Sequence, residues 1–234
     1  MGRSRLLYLA SFAVAFLLAR WGMSEWRMRG EPPVARAMAK RMRDPELDSL
    51  LRAATEGLTY DESKKRGAQL SARGVLRLTR EQHLQRVGIL AKVASMPGQE
   101  ALCAAMWTGR VDEQNFFEAL GQLDSTEQSQ FARLVRDATL AELRNEPRSI
   151  IATDEQIGLI FQLPSESMGA ADSARYWSAI EDGANVKRQD ACWAMRALLT
   201  SMLALEEPAR TNAATIFGRM RTEPPSDSGE RPSR

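Results

Sequence analysis

The side chains that most often act as nucleophiles, bases or metal ligands are scarce in this chain of 234 residues. It has a single histidine, His83, and two cysteines, Cys103 and Cys192. A zinc site needs several histidine or cysteine ligands at short spacing, and the sequence has no such pair. His83 stands near a predicted helix start among glutamate and glutamine, which favours a solvated surface histidine over a general base. We therefore predict no metal site and no cofactor.

The surroundings of the two cysteines argue against a reactive thiol. Cys103 and Cys192 lie in segments rich in Ala, Met and Trp, where burial raises the pKa of a thiol and reduces its nucleophilicity. A catalytic pair with His83 therefore has no support. Two cysteines are too few for a disulfide framework. We favour two small buried residues inside helices, and a single bridge is the alternative if the domain faces an oxidising compartment.

Adjacent carboxylates could serve acid–base chemistry, as they do in glycoside hydrolases. They occur at Asp61-Glu62, Asp154-Glu155, Glu181-Asp182 and Glu206-Glu207. The first two pairs fall in predicted first turns of helices, where negative charge complements the helix dipole, and the others fall at helix ends. The sequence also lacks the glycine-rich phosphate loops and the Gly-x-Ser-x-Gly elbow. We predict no enzyme activity; an enzyme with carboxylates and arginines spread over several helices is the alternative.

Three aromatic residues are candidates for binding a partner. Tyr176 and Trp177 lie on a short predicted helix, and Trp193 lies near Arg196 on a later one. Tyrosine, tryptophan and arginine are enriched at binding hot spots. Only 6% of the residues are aromatic, so the core needs most of them, and a core position is the favoured reading.

An apolar stretch near the N-terminus indicates a membrane anchor. It is uncharged from Leu6 to Ala19, and Arg20 could place its guanidinium among lipid headgroups, which extends the span to Met23. A bilayer requires about 20 helical residues, so we predict an uncleaved transmembrane helix at residues 6–23, after a basic leader at residues 1–5. The alternatives are a cleaved signal peptide, although no small-x-small cleavage site follows, and a buried N-terminal helix.

Positive charge is concentrated in residues 24–43, directly after the apolar stretch. The basic side chains are Arg27, Arg29, Arg36, Lys40, Arg41 and Arg43. A basic segment beside a membrane span is attracted to anionic lipid by about 1 kcal/mol per residue, so we predict docking to lipid headgroups. A solvated linker is the alternative. The net charge of the whole chain is only +2, and we expect no nucleic-acid partner.

Signals for helix starts recur along residues 44–223. Ser or Thr is followed three residues later by Glu or Gln at Thr59, Thr79, Ser125 and Thr153, and Asp44-Pro45 and Asp112 are further start signals. No stretch alternates apolar and polar residues in the manner of a strand. We predict a compact all-α domain of eight to ten helices over residues 44–223, followed by a disordered polar tail at residues 224–234.

Some positions of these helices are predicted in more detail. The helix that begins at Thr153 should stop at Pro164, and Asn185 should cap the longest late helix. The helix that begins at Thr79 should bury an apolar face spaced at helical intervals. That face consists of Leu84, Val87, Ala91 and Ala94.

The sequence therefore predicts a single-pass membrane protein with an all-α domain. The chain has 27 Arg and 5 Lys, a bias typical of bacteria with GC-rich genomes. The basic leader resembles an export signal, which favours a domain facing the periplasm over a cytoplasmic one. We predict a non-catalytic domain that binds an unidentified protein, as an envelope assembly subunit, a scaffold or a toxin-neutralising immunity protein. A protein that acts on the lipid surface through residues 24–43 is a further alternative.

Overall fold

The computed structural model describes residues 40, 43–148 and 152–219, and this part of the chain has ten α-helices and no β-strand. The prediction of an all-α domain is therefore confirmed. We number the helices α1 (Pro45–Ala54), α2 (Tyr60–Gly74), α3 (Arg80–Ser95), α4 (Glu100–Thr108), α5 (Glu113–Gly121), α6 (Ser125–Leu143), α7 (Asp154–Ser167), α8 (Ala170–Asp182), α9 (Arg188–Ala204) and α10 (Ala209–Gly218).

Most of the predicted helix starts are confirmed. Thr59, Thr79 and Thr153 each accept a hydrogen bond from the backbone N–H three residues later, and the Glu or Gln at that position bonds back to the threonine N–H. The Asp44 side chain accepts the backbone N–H groups of two residues in the first turn of α1. These bonds satisfy N–H groups that have no partner within the helix, which is why short polar residues set the boundaries.

Two predicted helix starts are wrong. Helix α6 is capped by Asp124, whose side chain accepts the N–H groups of Thr126 and Glu127, so Ser125 is the first helical residue and not the cap. Asn185 lies in a 3₁₀ turn, and α9 begins only at Arg188 without a side-chain cap. In the first case a carboxylate beside the serine takes the same N–H groups, and a charged acceptor bonds more strongly than a hydroxyl.

Helix α7 does not stop at Pro164, contrary to the prediction, and continues to Ser167. Proline removes one backbone hydrogen bond, but its ring is buried here, which compensates for the loss. The hydroxyl groups of Ser165 and Ser167 donate to the carbonyl oxygens of Gln162 and Pro164, at 2.7 and 3.2 Å. The last turn is thus held by side-chain hydrogen bonds.

The helices pack around α9, which contacts α3, α4, α7, α8 and α10. A second group is formed by α2 against α6, with α1 packed on α6 and α3 joining α6 to the centre. Gly74, the last residue of α2, brings the two backbones together, since a Cβ atom at this position would lie 1.8 Å from the carbonyl oxygen of Ala138 in α6. The absence of a side chain at residue 74 is therefore a condition for this packing.

The predicted anchor at residues 6–23 lies outside the described residues. Within the described part of the chain, no helix is both long and apolar enough to cross a bilayer. Of the basic residues predicted to meet lipid headgroups, Lys40 and Arg43 are exposed, and the other four lie outside the described residues. The predicted tail at residues 224–234 is outside them too.

Candidate functional site

Helices α4 and α9 are joined covalently. Cys103 and Cys192 form a disulfide with a Cα–Cα distance of 4.8 Å, and both residues are buried, with exposures of 0% and 3%. The sequence analysis favoured two unbonded cysteines and gave the bridge as the alternative. Helical spacing does not show which helices become neighbours, so it could not predict this bond. The bond leaves no free cysteine among the described residues. Neither sulfur is therefore a thiol that could act as a nucleophile.

A cluster of aromatic side chains lies beside this disulfide-linked pair of helices. The ring of Trp107 is 6.1 Å from that of Tyr176 and 6.1 Å from that of Phe161, both in edge-to-face arrangements. Trp107 is fully buried, and its indole N–H donates to the carbonyl oxygen of Ala179 in α8 at 3.2 Å. The cluster fixes α7 and α8 against α4, since such ring pairs add to the energy of area burial.

The three predicted partner-binding residues come together at the edge of this cluster, but only two reach the surface. Tyr176 is completely buried, so it is not available to a partner, and burial raises the pKa of its hydroxyl. Trp177 and Trp193 are half-buried, with rings 5.9 and 6.4 Å from the Tyr176 ring. We call Trp177, Trp193 and Arg175 the aromatic edge.

Arg175 completes the aromatic edge. Its guanidinium carbon lies 4.5 Å from the centre of the Trp193 ring, a cation–π geometry, and its Nε donates to Asp190 at 2.7 Å. The ion pair neutralises the charge of the arginine and joins α8 to α9. The result is an aromatic surface on which Arg175 is held against Trp193 by its ion pair with Asp190.

His83 is not a solvated surface histidine, contrary to the prediction. Its exposure is 0%, and neither ring nitrogen has a hydrogen-bond partner among the described residues. The ring lies against Gly218 of α10, where an added Cβ atom would be 1.9 Å from Nδ1. The prediction failed because the buried side of α3 is wider than the expected face, of which Val87 and Ala94 are buried and Leu84 and Ala91 are partly buried against the core. The buried side runs through His83, Val87, Leu90 and Ala94, which also have helical spacing.

Two arginines lie beside this histidine. Arg86 is only 9% exposed, and it makes no hydrogen bond or ion pair with a described residue. Arg219 follows α10, is half-buried, and its Nε is buried without a partner among the described residues. Burial, followed by the charges of Arg86 and Arg219, lowers the pKa of His83 to about 3. Burial lowers the pKa of Arg86 to about 10, which leaves it charged at neutral pH.

The pKa of His83 predicts a loss of stability in mild acid. Because the pKa is about 3 when folded and about 6.5 when unfolded, only the unfolded chain takes up this proton between those values. Lowering the pH from 7 to 5 should therefore reduce the free energy of unfolding by about 2 kcal/mol through this residue. Urea unfolding at the two pH values measures the loss. The variant His83→Gln should lack this contribution, and an equal loss in both proteins would contradict the assignment.

The paired carboxylates lie at or beside helix ends, and Glu62 takes part in the cap of α2. Glu62 is exposed, and hydrogen bonds from the side chain and backbone of Thr59 lower its pKa. Asp154-Glu155, Glu181-Asp182 and Glu206-Glu207 are exposed at or beside helix ends. Within the described residues, no group of three or more histidine, cysteine, aspartate or glutamate side chains could hold a metal ion.

Comparison with known proteins gives no relative: no family model, no curated protein and no solved structure matches this chain. The site must therefore be interpreted from its own chemistry.

Proposed function

We propose that the protein is a non-catalytic, membrane-tethered helical domain that binds another protein, as a subunit or scaffold of an envelope assembly or as a toxin-neutralising immunity protein. The observation that carries this proposal is the state of the side chains that could react. The two cysteines are bonded to each other, and the single histidine is buried and uncharged at neutral pH. The members of the carboxylate pairs whose side chains the structure describes are exposed at or beside helix ends. This arrangement supports recognition over catalysis.

The aromatic edge is the surface on which we place the partner. Trp177 and Trp193 are anchored on the buried Tyr176 ring, so a partner would meet side chains that are already ordered. Binding then costs little conformational entropy, which is the property of hot-spot residues. Because Asp190 neutralises Arg175, the partner segment should be apolar and not strongly charged.

The disulfide supports a domain on the oxidising side of the membrane. Disulfides persist in compartments such as the bacterial periplasm and are rare in the cytosol. The bond between Cys103 and Cys192 thus agrees with export directed by the basic leader and the apolar residues 6–23. In this proposal residues 6–23 form the tether, and the basic residues of the 24–43 segment bind lipid headgroups.

Affinity capture tests the proposal. The full-length protein, purified from detergent-solubilised membranes at physiological salt, should retain a protein partner. Each of Trp177→Ala and Trp193→Ala should reduce the recovered partner about tenfold, since a hot-spot residue contributes about 1.4 kcal/mol or more.

The control is Leu159→Ala, which truncates a large apolar side chain that is 56% exposed on α7 and does not belong to the aromatic edge. It should leave partner recovery unchanged, and melting temperatures should show that all three variants are folded. Recovery of the bait alone, or equal recovery with both tryptophan variants, would refute the proposal.

A further inference from the structure

His83, Arg86 and Arg219 form a cluster between α3 and α10, which we call the arginine–histidine cluster. Gly218 fixes its position, because the His83 ring occupies the space where a side chain of residue 218 would lie. Arg219, the next residue, therefore reaches the same place as the first turns of α3. Arg80, also on α3, is close enough for its charge to lower the pKa of Arg219.

The charges that act on the members of the cluster are positive, whereas the charge of Arg80 also acts on the neighbouring carboxylate of Glu81. The charges that act on His83 are those of Arg86 and Arg219, and the charge that acts on Arg219 is that of Arg80. Every one of these neighbours is a cation. By contrast, the arginine Arg77 is paired with a carboxylate: it donates to Glu142 at 2.7 Å, with side-chain exposures of 4% and 8%.

An unpaired buried arginine is costly, because burial removes water from the charge without replacing it by a counter-ion. Arg86 is nine-tenths buried, and the two nitrogens of His83 and the Nε of Arg219 are further buried polar atoms without partners in the described residues. In a neutral histidine one ring nitrogen is a donor, so this N–H, the Nε–H of Arg219 and the guanidinium of Arg86 are donors beside one another that could share an acceptor.

We propose that the arginine–histidine cluster binds an oxyanion, held by the guanidinium groups of Arg86 and Arg219 and by a ring N–H of His83. Planar guanidinium groups match phosphate and carboxylate oxygens in bidentate geometry. The anion enters from the side of Arg80, which is exposed, and of Arg219, which is half-buried. Binding satisfies the unpaired donors and joins the start of α3 to the end of α10.

Two kinds of oxyanion could occupy the cluster, and both present oxygen acceptors to the guanidinium groups. One is a free anion such as inorganic phosphate. The other is a carboxylate of this chain, since Glu223, Asp227 and Glu230 follow Arg219 within eleven positions. Residues 220–234 are rich in proline and serine and contain no acidic residue besides these three.

His83 allows the site to be observed directly, because it is the only histidine of the chain. Inorganic phosphate is titrated into the full-length protein at constant ionic strength maintained with sodium chloride, and the His83 ring signals are followed by NMR. If the anion is free in solution, phosphate should shift these signals in a saturable manner and raise the melting temperature by several degrees, about the effect of a ligand well above its Kd.

Arg86→Met should abolish the phosphate response, because it keeps much of the buried volume and removes the guanidinium. Arg219→Gln serves the same purpose at a half-buried position if the first variant does not fold. Arg133→Met, which removes an exposed arginine of α6, is the matched control and should respond like the wild type.

A tail variant distinguishes the two sources. In Glu223→Gln/Asp227→Asn/Glu230→Gln the His83 signals should move without phosphate, and a phosphate response should emerge, if the tail supplies the anion. An unchanged response identifies a free anion. The proposal is overturned if neither the wild type nor the tail variant responds to phosphate beyond the chloride control. It is also overturned if Arg86→Met and Arg219→Gln, each made in the background that responds to phosphate, leave that response unchanged.

Discussion

Replacing both Cys103 and Cys192 by alanine is expected to lower the free energy of unfolding by about 4 kcal/mol. The bond joins positions 89 residues apart, so it removes much of the conformational freedom of the unfolded chain. Measured effects of native disulfides in small domains are about 2 to 5 kcal/mol. Urea unfolding of the wild type and the double variant, with and without reductant, measures the difference.

Two controls isolate the contribution of the bond from that of the sulfur atoms. When reductant is present and breaks the disulfide in the unfolded protein, the free energy of unfolding of the wild type should be close to that of the double variant. The remaining difference between the two proteins gives the contribution of side-chain packing at these positions. Under native conditions a mild reductant should have little effect, since both residues are at most 3% exposed. The same unfolding midpoint for oxidised and fully reduced wild type would contradict this account.

The variant Gly74→Ala is expected to lose about 3 kcal/mol of stability, the upper range for an overpacked core. The new methyl group would lie 1.8 Å from the carbonyl oxygen of Ala138, and this atom belongs to the backbone of α6. A side chain could rotate away from such a contact, whereas here α2 must separate from α6. Thermal and urea unfolding give the loss directly.

Gly88→Ala is the matched control for this prediction. Gly88 lies in the interior of α3, and a Cβ atom there would have no atom within 4 Å. Alanine has the higher helix propensity, so this variant should gain about 0.5 to 1 kcal/mol. If Gly74→Ala were also neutral or stabilising, the close contact of α2 with α6 would be wrong.

The boundaries of the helices could be predicted because they depend on local chemistry. In these starts the threonine side chain accepts the N–H three residues later, and the Glu or Gln side chain there accepts the N–H of the threonine. Thr59, Thr79 and Thr153 therefore identify helix starts without knowledge of the fold. Where the prediction failed at Ser125, two residues competed for the same N–H groups, and the neighbouring Asp124 caps the helix. Which residue caps the helix depends on the relative strengths of the two sets of hydrogen bonds, and a sequence pattern does not give these strengths.

The interior of the molecule could be predicted only in part. Helical spacing identified residues of α3 that pack into the core, but it did not show that the buried side also includes His83 and Arg86. A polar side chain is placed in the interior by its neighbours on α10, over 130 residues later in the chain. The pairing of Cys103 with Cys192 was undecided for the same reason, since it depends on the packing of α4 against α9.

The disulfide between α4 and α9 also imposes an order in time. A chain is made from its N-terminus, so Cys103 is synthesised long before Cys192 exists. Throughout that interval α4 lacks the helix against which it is packed in the finished molecule. The bond can therefore close only after α9, the ninth of the ten described helices, has been synthesised. The disulfide is therefore one of the last interactions of the domain to form, and helices α1 to α8 must remain soluble before it can close.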